Sequence, residues 1–245
     1  MRTFRLACLL LGLLALSACS ATPGGQKWSV AARRAALSPA TWAPLAGAAV
    51  LAATDWDGQI SDWAADRHPV FGSEGAAETG SDVLLATGAG LYGVSALAAP
   101  RESLRDRTTA DAAALVATTA TTGGLKFVTH RPRPDGSDNQ SLPSLHTALG
   151  AGFATLTANN LDFSGWTPKR RRAAHAGLLG LTAATGWARI EAGDHYPSDV
   201  LVGAALGHFF SVLCAPARDG GPVPARTTVT LSRKGTVLLG FRGSF

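Results

Sequence analysis

The sequence predicts an all-α fold, a bundle of six helices followed by a short C-terminal β-hairpin. Three observations predict it. Apolar segments of helical length recur along the chain, rich in Ala, Leu, Gly and Val, with polar residues at their ends. Pro100, Pro134, Pro143, Pro168, Pro197 and Pro216 punctuate their boundaries, where a missing N–H and a fixed φ suit helix starts and stops. Strand-favouring aromatics are few, and the composition turns strand-like only after Pro216.

At the N-terminus, Arg2 and Arg5 precede an apolar run from Leu6 to Leu16, then Leu16-Ser17-Ala18-Cys19. A basic start, a short apolar stretch and small residues at the cut read as a secretory signal over residues 1–18. The run is shorter than the roughly 20 residues that cross a bilayer. Leu-Ser-Ala-Cys resembles the bacterial lipoprotein box, which implies lipid attachment at Cys19 and a membrane partner through that anchor. The location expected is the periplasm, with the outer membrane favoured because Ser20, not Asp, follows Cys19. Cys8 would leave with the signal; with Cys19 lipidated, Cys214 would be the remaining thiol and no intrachain disulfide could form. Removing 18 of 245 residues leaves 227, enough for one domain with a sizeable core.

Residues 19–36 read as a tether leading into a helix, 37–216 as a helical catalytic domain, and 217–245 as a linker and hairpin tail. The six helices are expected at about Pro39–Thr54, Ser81–Ala99, Thr108–His130, Ser144–Asn159, Lys169–Ile190 and Pro197–Ala215. Asp55–Gly80, with Asp55, Asp57, Asp62 and Asp66, reads as a surface loop with short helical turns. Counted from Asp55, Gly58 falls at the fourth position rather than the sixth that a calcium loop needs. Asp219-Gly220-Gly221-Pro222 reads as a linker, and Thr227–Ser232 with Thr236–Phe241 as the two hairpin strands. The net charge of +5 is spread out apart from Lys169-Arg170-Arg171-Arg172, and nothing resembles a nucleic-acid module.

Chemistry concentrates in three stretches. Arg189 stands six residues before His195, and Asp199 follows four after it. Pro197 suits the first helical position, so His195 falls just before a helix and Asp199 in its first turn. Asp199 can then accept a hydrogen bond from His195, fixing the tautomer and freeing the other ring nitrogen to attack an electrophile. Arg189 offers a planar fork of donors suited to phosphate. Upstream, Lys126 precedes Arg133-Pro134, and Pro143-Ser144-Leu145-His146 follows.

The order Lys-x6-Arg-Pro, Pro-Ser-x-His, Arg-x5-His-x3-Asp resembles the type 2 phosphatidic acid phosphatase superfamily between Lys126 and Asp199. The resemblance implies that His195 attacks phosphorus, Asp199 orients it, and His146 protonates the leaving oxygen and then activates water. It also implies phosphate binding by Lys126, Arg133, Arg189, Ser144 and Leu145, the last two through the helix start. Arg131 in Arg131-Pro132 is the fallback for Arg133. No metal or other cofactor is expected. The expected activity is a periplasmic phosphatase acting on phosphomonoesters or pyrophosphates, lipid phosphates included, through a phosphohistidine. A vanadate-dependent haloperoxidase and a non-catalytic lipid-phosphate-binding protein are the alternatives; the Lys-to-Arg spacing favours phosphatase. Leu145 replaces the family's Gly, and Ala188 replaces a Ser, which removes one hydroxyl contact. Val83–Ala99, uncharged over 17 residues, sits at the low edge for a membrane span. A lipidated Cys19 would put the chain's start outside, and three spans would then carry Lys126 to the wrong face. A soluble bundle on a lipid tether is therefore expected.

Overall fold

The computed structural model describes residues 28–99, 104–162, 164–215, 226–231 and 237–242. The expected signal, Cys19 and the first part of the expected tether lie outside the described residues. Eight helices occur among those described: α1 (Trp28–Ala36), α2 (Pro39–Ala52), α3 (Trp56–Arg67), α4 (Glu74–Ala98), α5 (Leu104–Thr129), α6 (Leu145–Leu161), α7 (Pro168–Glu191) and α8 (Pro197–Cys214). The backbone also carries β1 (Arg226–Leu231) and β2 (Val237–Arg242), paired antiparallel with Val229 opposite Leu239.

Two helices exceed the six expected. The segment read as the end of a tether is α1, whose Ala31 and Ala35 stand one turn apart and bury against Leu206, Phe210 and Leu213 of α8. The segment read as a surface loop contains α3. Its Asp57, Ser61 and Ala64 recur at helical spacing and are buried, so the acids of this stretch do not all face water. α4 also starts earlier than expected, where the Ser73 hydroxyl accepts the Ala76 N–H at 3.2 Å and caps its first turn.

Small side chains set how the helices pack. α6 and α8 form the central pair, with α4, α5 and α7 around α6, and α1, α2 and α5 around α8. A Cβ at Gly203 would stand 2.4 Å from the Ser144 carbonyl oxygen, and one at Gly207 only 1.9 Å from that of Ala148. The two backbones therefore touch where side chains would otherwise hold them apart. Buried threonines on neighbouring helices satisfy their hydroxyls locally: Thr118 donates to Ala114 O at 2.8 Å and Thr185 to Leu181 O at 2.9 Å.

Polar ties order the rest. At the end remote from His195, Arg107 Nη2 donates to Asn160 Oδ1 at 3.1 Å, and Asn160 Nδ2 donates to Ser95 Oγ at 3.0 Å, linking α5, α6 and α4. His208 of α8 pairs with Ser38 Oγ at 2.8 Å and Thr155 Oγ1 at 3.0 Å. Its burial pushes the imidazole down to about 4, so it serves as a neutral strut. Buried Glu191 accepts the N–H groups of Val70 and Phe71, each at 2.9 Å, and the Trp187 indole N–H. It thereby pins the α3–α4 link to the end of α7.

By length and composition, α4 and α8 could each cross a membrane, and α1 with α2, bent by 52°, pass the same measure together. The apolar window of α4 is 17% buried within the fold, that of α8 56%.

The α6–α8 contact predicts a sharp asymmetry between glycines. Gly207→Ala should destabilise the fold by about 2–4 kcal/mol, because helix backbone rather than a flexible side chain must move. Gly180→Ala, with nothing within 4 Å of the added methyl, should instead be neutral or stabilise by about 0.5–1 kcal/mol. Chemical denaturation of the two variants beside the parent chain measures both.

Candidate active site

The site residues come from four helix ends that meet on one side of the bundle. Lys126 lies in the last turn of α5 and His146 in the first turn of α6. Arg189 lies in the last turn of α7. Gly193, at φ +73° in the left-handed region that favours glycine, turns the chain from α7 into His195 and α8. A Cβ there would come within 3.3 Å of Asp135 Cβ.

The loop between α5 and α6 is stitched to that turn. Asp135 N–H donates to Gly193 O at 3.1 Å, Ser141 Oγ donates to Asp199 Oδ2 at 2.5 Å, and Ser144 N–H donates to Asp199 O at 3.1 Å. Arg133 is thereby brought beside Arg189. Arg133 Nη1 donates to Asp194 Oδ1, and Arg189 Nη2 stands 2.5 Å from Asp194 Oδ2. One buried carboxylate thus holds two guanidiniums with their remaining donors free of it. Arg133 Nε also donates to Asp138 Oδ1 at 2.9 Å. Arg189 Nη1 donates to Ser81 Oγ of α4 at 3.0 Å, so a distant hydroxyl reaches the arginine that Ala188 cannot support. Lys126 Nζ donates to Gln140 O.

Electrostatics shows which of these groups share space. Burial pushes the His195 imidazole well below its ordinary value, and the charges of Lys126, Arg189 and Arg133 push the same way; the Ser141 carbonyl opposes them. A neutral ring beside three cations is the result. Burial lowers Lys126 to about 8, helped by Arg133 and Arg189 and opposed by Asp199 and Asp138. His146 is lowered by burial and then by Arg189 and Lys126, against the raising effect of Asp82. Lys126 and Arg189 thus bear on both histidines, and Arg133 bears on His195.

Other expectations are redistributed. The Asp199–His195 hydrogen bond is not made: Nδ1 to Oδ2 is 4.0 Å, a distance for Coulomb attraction rather than a hydrogen bond. Asp199 instead accepts from Ser141, from the Tyr196 N–H at 3.0 Å and from Arg131 Nη1 at 2.6 Å. The helix start that bears Pro197 draws the carboxylate back onto its own first turn, closing half of a capping box. Burial raises the Asp199 carboxyl, and Arg131 is the foremost influence against that rise.

Arg131 does not join the three cations around His195; it bonds Asp57, Ser198 and Asp199. Ser144 spends its N–H on Asp199 O, and its hydroxyl accepts from Thr147 Oγ1 at 3.1 Å and Thr147 N at 3.5 Å. It therefore builds the start of α6 rather than presenting that N–H to an anion. Leu145, beside it, is half-buried.

Sequence reasoning missed Asp194, Asp82, Ser81, Ser141, Ser198 and Asp57. Asp194 could have been suspected from its place between Arg189 and His195. Asp82 lies 2.9 Å from His146 Nε2 but 64 residues away in sequence, and no local pattern joins them.

Residues 109–219, which include every member of the three motifs, match the family model described as the PAP2 superfamily. No curated protein and no solved structure matches the chain.

The depressed Lys126 makes anion binding sensitive to alkali. Its charge is present below about 8 and is lost as pH rises through that value. Calorimetric titration with inorganic phosphate should show affinity falling roughly tenfold between about pH 7.5 and 9.5, with Lys126→Arg binding evenly across the range.

Proposed function

The chain belongs to the PAP2 superfamily through residues 109–219, and on that premise we propose that it is a metal-independent phosphatase working through a phosphohistidine. The family supports phosphatase-type chemistry in general. The observation that carries the finer reading is the buried His195, set with Nδ1 4.0 Å from Asp199 and next in the chain to Asp194, the carboxylate that pairs with both Arg133 and Arg189.

In this mechanism, Lys126, Arg133 and Arg189 hold the equatorial phosphate oxygens, where charge develops as the phosphoryl group transfers. His195 attacks phosphorus with Nε2 while Nδ1 faces Asp199. The P–O bond to the leaving group breaks, and His146 delivers a proton to that oxygen. The phosphorylated imidazole is cationic, and the Asp199 carboxylate 4.0 Å away stabilises it. Water then attacks phosphorus as His146 takes a proton from it, which releases phosphate and restores neutral His195. Because burial lowers His146, the protonated acid prevails only on the acid side of its ordinary value. Turnover is therefore fastest under acidic conditions and declines towards neutrality.

Substrates are phosphomonoesters or pyrophosphates, with Leu145 as an apolar lip suited to a lipid tail. The protein works in the periplasm as a helical body on a Cys19 lipid anchor, its outer-membrane address following from Ser20. The outward apolar side chains of α4, Val83, Leu91, Val94 and Leu97, favour a second reading in which the body itself enters the bilayer.

Purified protein should hydrolyse p-nitrophenyl phosphate, phosphatidic acid or an isoprenyl pyrophosphate, with an acidic optimum and inhibition by vanadate. His195→Ala should lose at least about a thousandfold in kcat; undiminished turnover would exclude His195 as the nucleophile. For the anchor, Cys19→Ala should be released from membranes by carbonate. Retention until detergent is added would select the embedded reading.

A further inference from the structure

Beside the motif residues lies a second ionic group, built on Arg131 and Asp57, which the mechanism uses only at Asp199. Arg131 Nη2 donates to Asp57 Oδ2 at 2.8 Å, and Nη1 donates to Ser198 Oγ at 2.8 Å and Asp199 Oδ1 at 2.6 Å. Its guanidinium lies 4.1 Å from the centre of the Tyr196 ring. Asp57 accepts the Ser198 N–H on Oδ1 at 2.8 Å and the Ser198 hydroxyl on Oδ2 at 2.5 Å. Asp57 is 4% exposed and Asp199 fully buried.

We propose that Arg131, itself set by Asp57 of α3, is a positioning residue that holds the Asp199 carboxylate beside His195. The inference rests on His195 being the nucleophile. It extends the reacting assembly to α3, which lies outside residues 109–219.

The physical reason is charge accounting around a buried anion. Asp199 faces Arg131 from the α5–α6 loop, Asp57 from α3, His195 from the turn before α8, and the more distant Lys126 of α5. Asp57 alone would drive a proton onto Asp199, since two carboxylates in one desolvated space repel. A guanidinium bonded to both removes that repulsion and fixes Asp199 Oδ1, which leaves Oδ2 turned toward Nδ1 of His195. A neutral Asp199 would lose its attraction for the cationic phosphohistidine. Lysine cannot reproduce the arrangement in full, because a point charge lacks the fork that reaches Asp57 and Asp199 together.

The experiment compares the full chain with Arg131→Gln, Arg131→Lys and Asp57→Asn. It follows p-nitrophenyl phosphate turnover against pH, thermal unfolding, and the Asp199 ionisation midpoint by carboxyl-carbon NMR. Arg131→Gln should lose roughly a hundredfold in kcat with KM within about threefold, and raise the Asp199 midpoint by a unit or more. The acid limb of its pH profile should move up with that midpoint. Asp57→Asn relieves the repulsion but loosens Arg131, so it should lower kcat roughly tenfold while leaving the midpoint near its parent value. Arg131→Lys should recover part of the lost rate. Unchanged kcat and midpoint with lowered thermal stability would make the group a structural staple and overturn the proposal. A raised KM at constant kcat would do the same by making Arg131 a phosphate ligand. If the parent chain turned over no phosphate ester, the phosphatase reading would fail, and the Asp199 midpoint in Arg131→Gln would still decide the positioning role.

Discussion

The contact between the backbones of α6 and α8 is the constraint from which the rest follows. Gly203 and Gly207 let α8 lie against the carbonyls of Ser144 and Ala148 with no side chain between them. At that separation the Ser144 N–H reaches Asp199 O, which couples the first turns of the two helices. His146 and His195 sit at those two starts, one within its helix and one just before it. A larger residue at either glycine would part the helices and loosen the loops stitched between them. The geometry of the candidate site depends on interhelical distance before it depends on any one of its side chains.

Gathering cations at one end of a bundle has an electrostatic cost, and the surrounding carboxylates offset it. Asp194 serves Arg133 and Arg189 together, Asp138 adds to Arg133, and Asp57 with Asp199 share Arg131. The offset is incomplete around His195, where burial and three cations keep the ring neutral. It is also incomplete at Lys126, lowered to about 8. The same residual positive field that would attract a phosphate thus maintains an uncharged imidazole beside it. One arrangement answers both needs because each follows from the sign of the field.

Much of this was legible in the chain. Helical segments announced themselves through apolar runs bounded by proline, and α6 to α8 begin and end within about two residues of expectation. The three motifs singled out Lys126, Arg133, His146, Arg189 and His195; the charges of Lys126 and Arg189 lower both imidazoles, and that of Arg133 lowers His195. Less legible was anything that depended on a partner distant in sequence. Asp57 sat among other acids in a stretch that looked solvated, and only the packing of α3 against the α8 start buries it. α1 was mistaken for tether because Ala31 and Ala35 carry a weak apolar signal; its stripe acquires meaning only against Phe210 and Leu213. Asp199 was expected to bond His195 because i,i+4 spacing allowed it, but Ser141, Tyr196 and Arg131 compete for the same carboxylate.

What the sequence by itself determined was therefore the inventory and the local geometry: helical fold class, motif order, and a proline-led helix behind His195. These depend on the preferences of neighbouring residues, which the chain states directly. What only the tertiary structure decided was partnership: Asp194 shared by two arginines, Ser81 supporting Arg189 in place of a local hydroxyl, Asp82 beside His146, and Arg131 turned to Asp57 and Asp199. Hydrogen bonds and ion pairs act over a few ångströms of space whatever the separation along the chain, so their choice waits until packing has brought the candidates together.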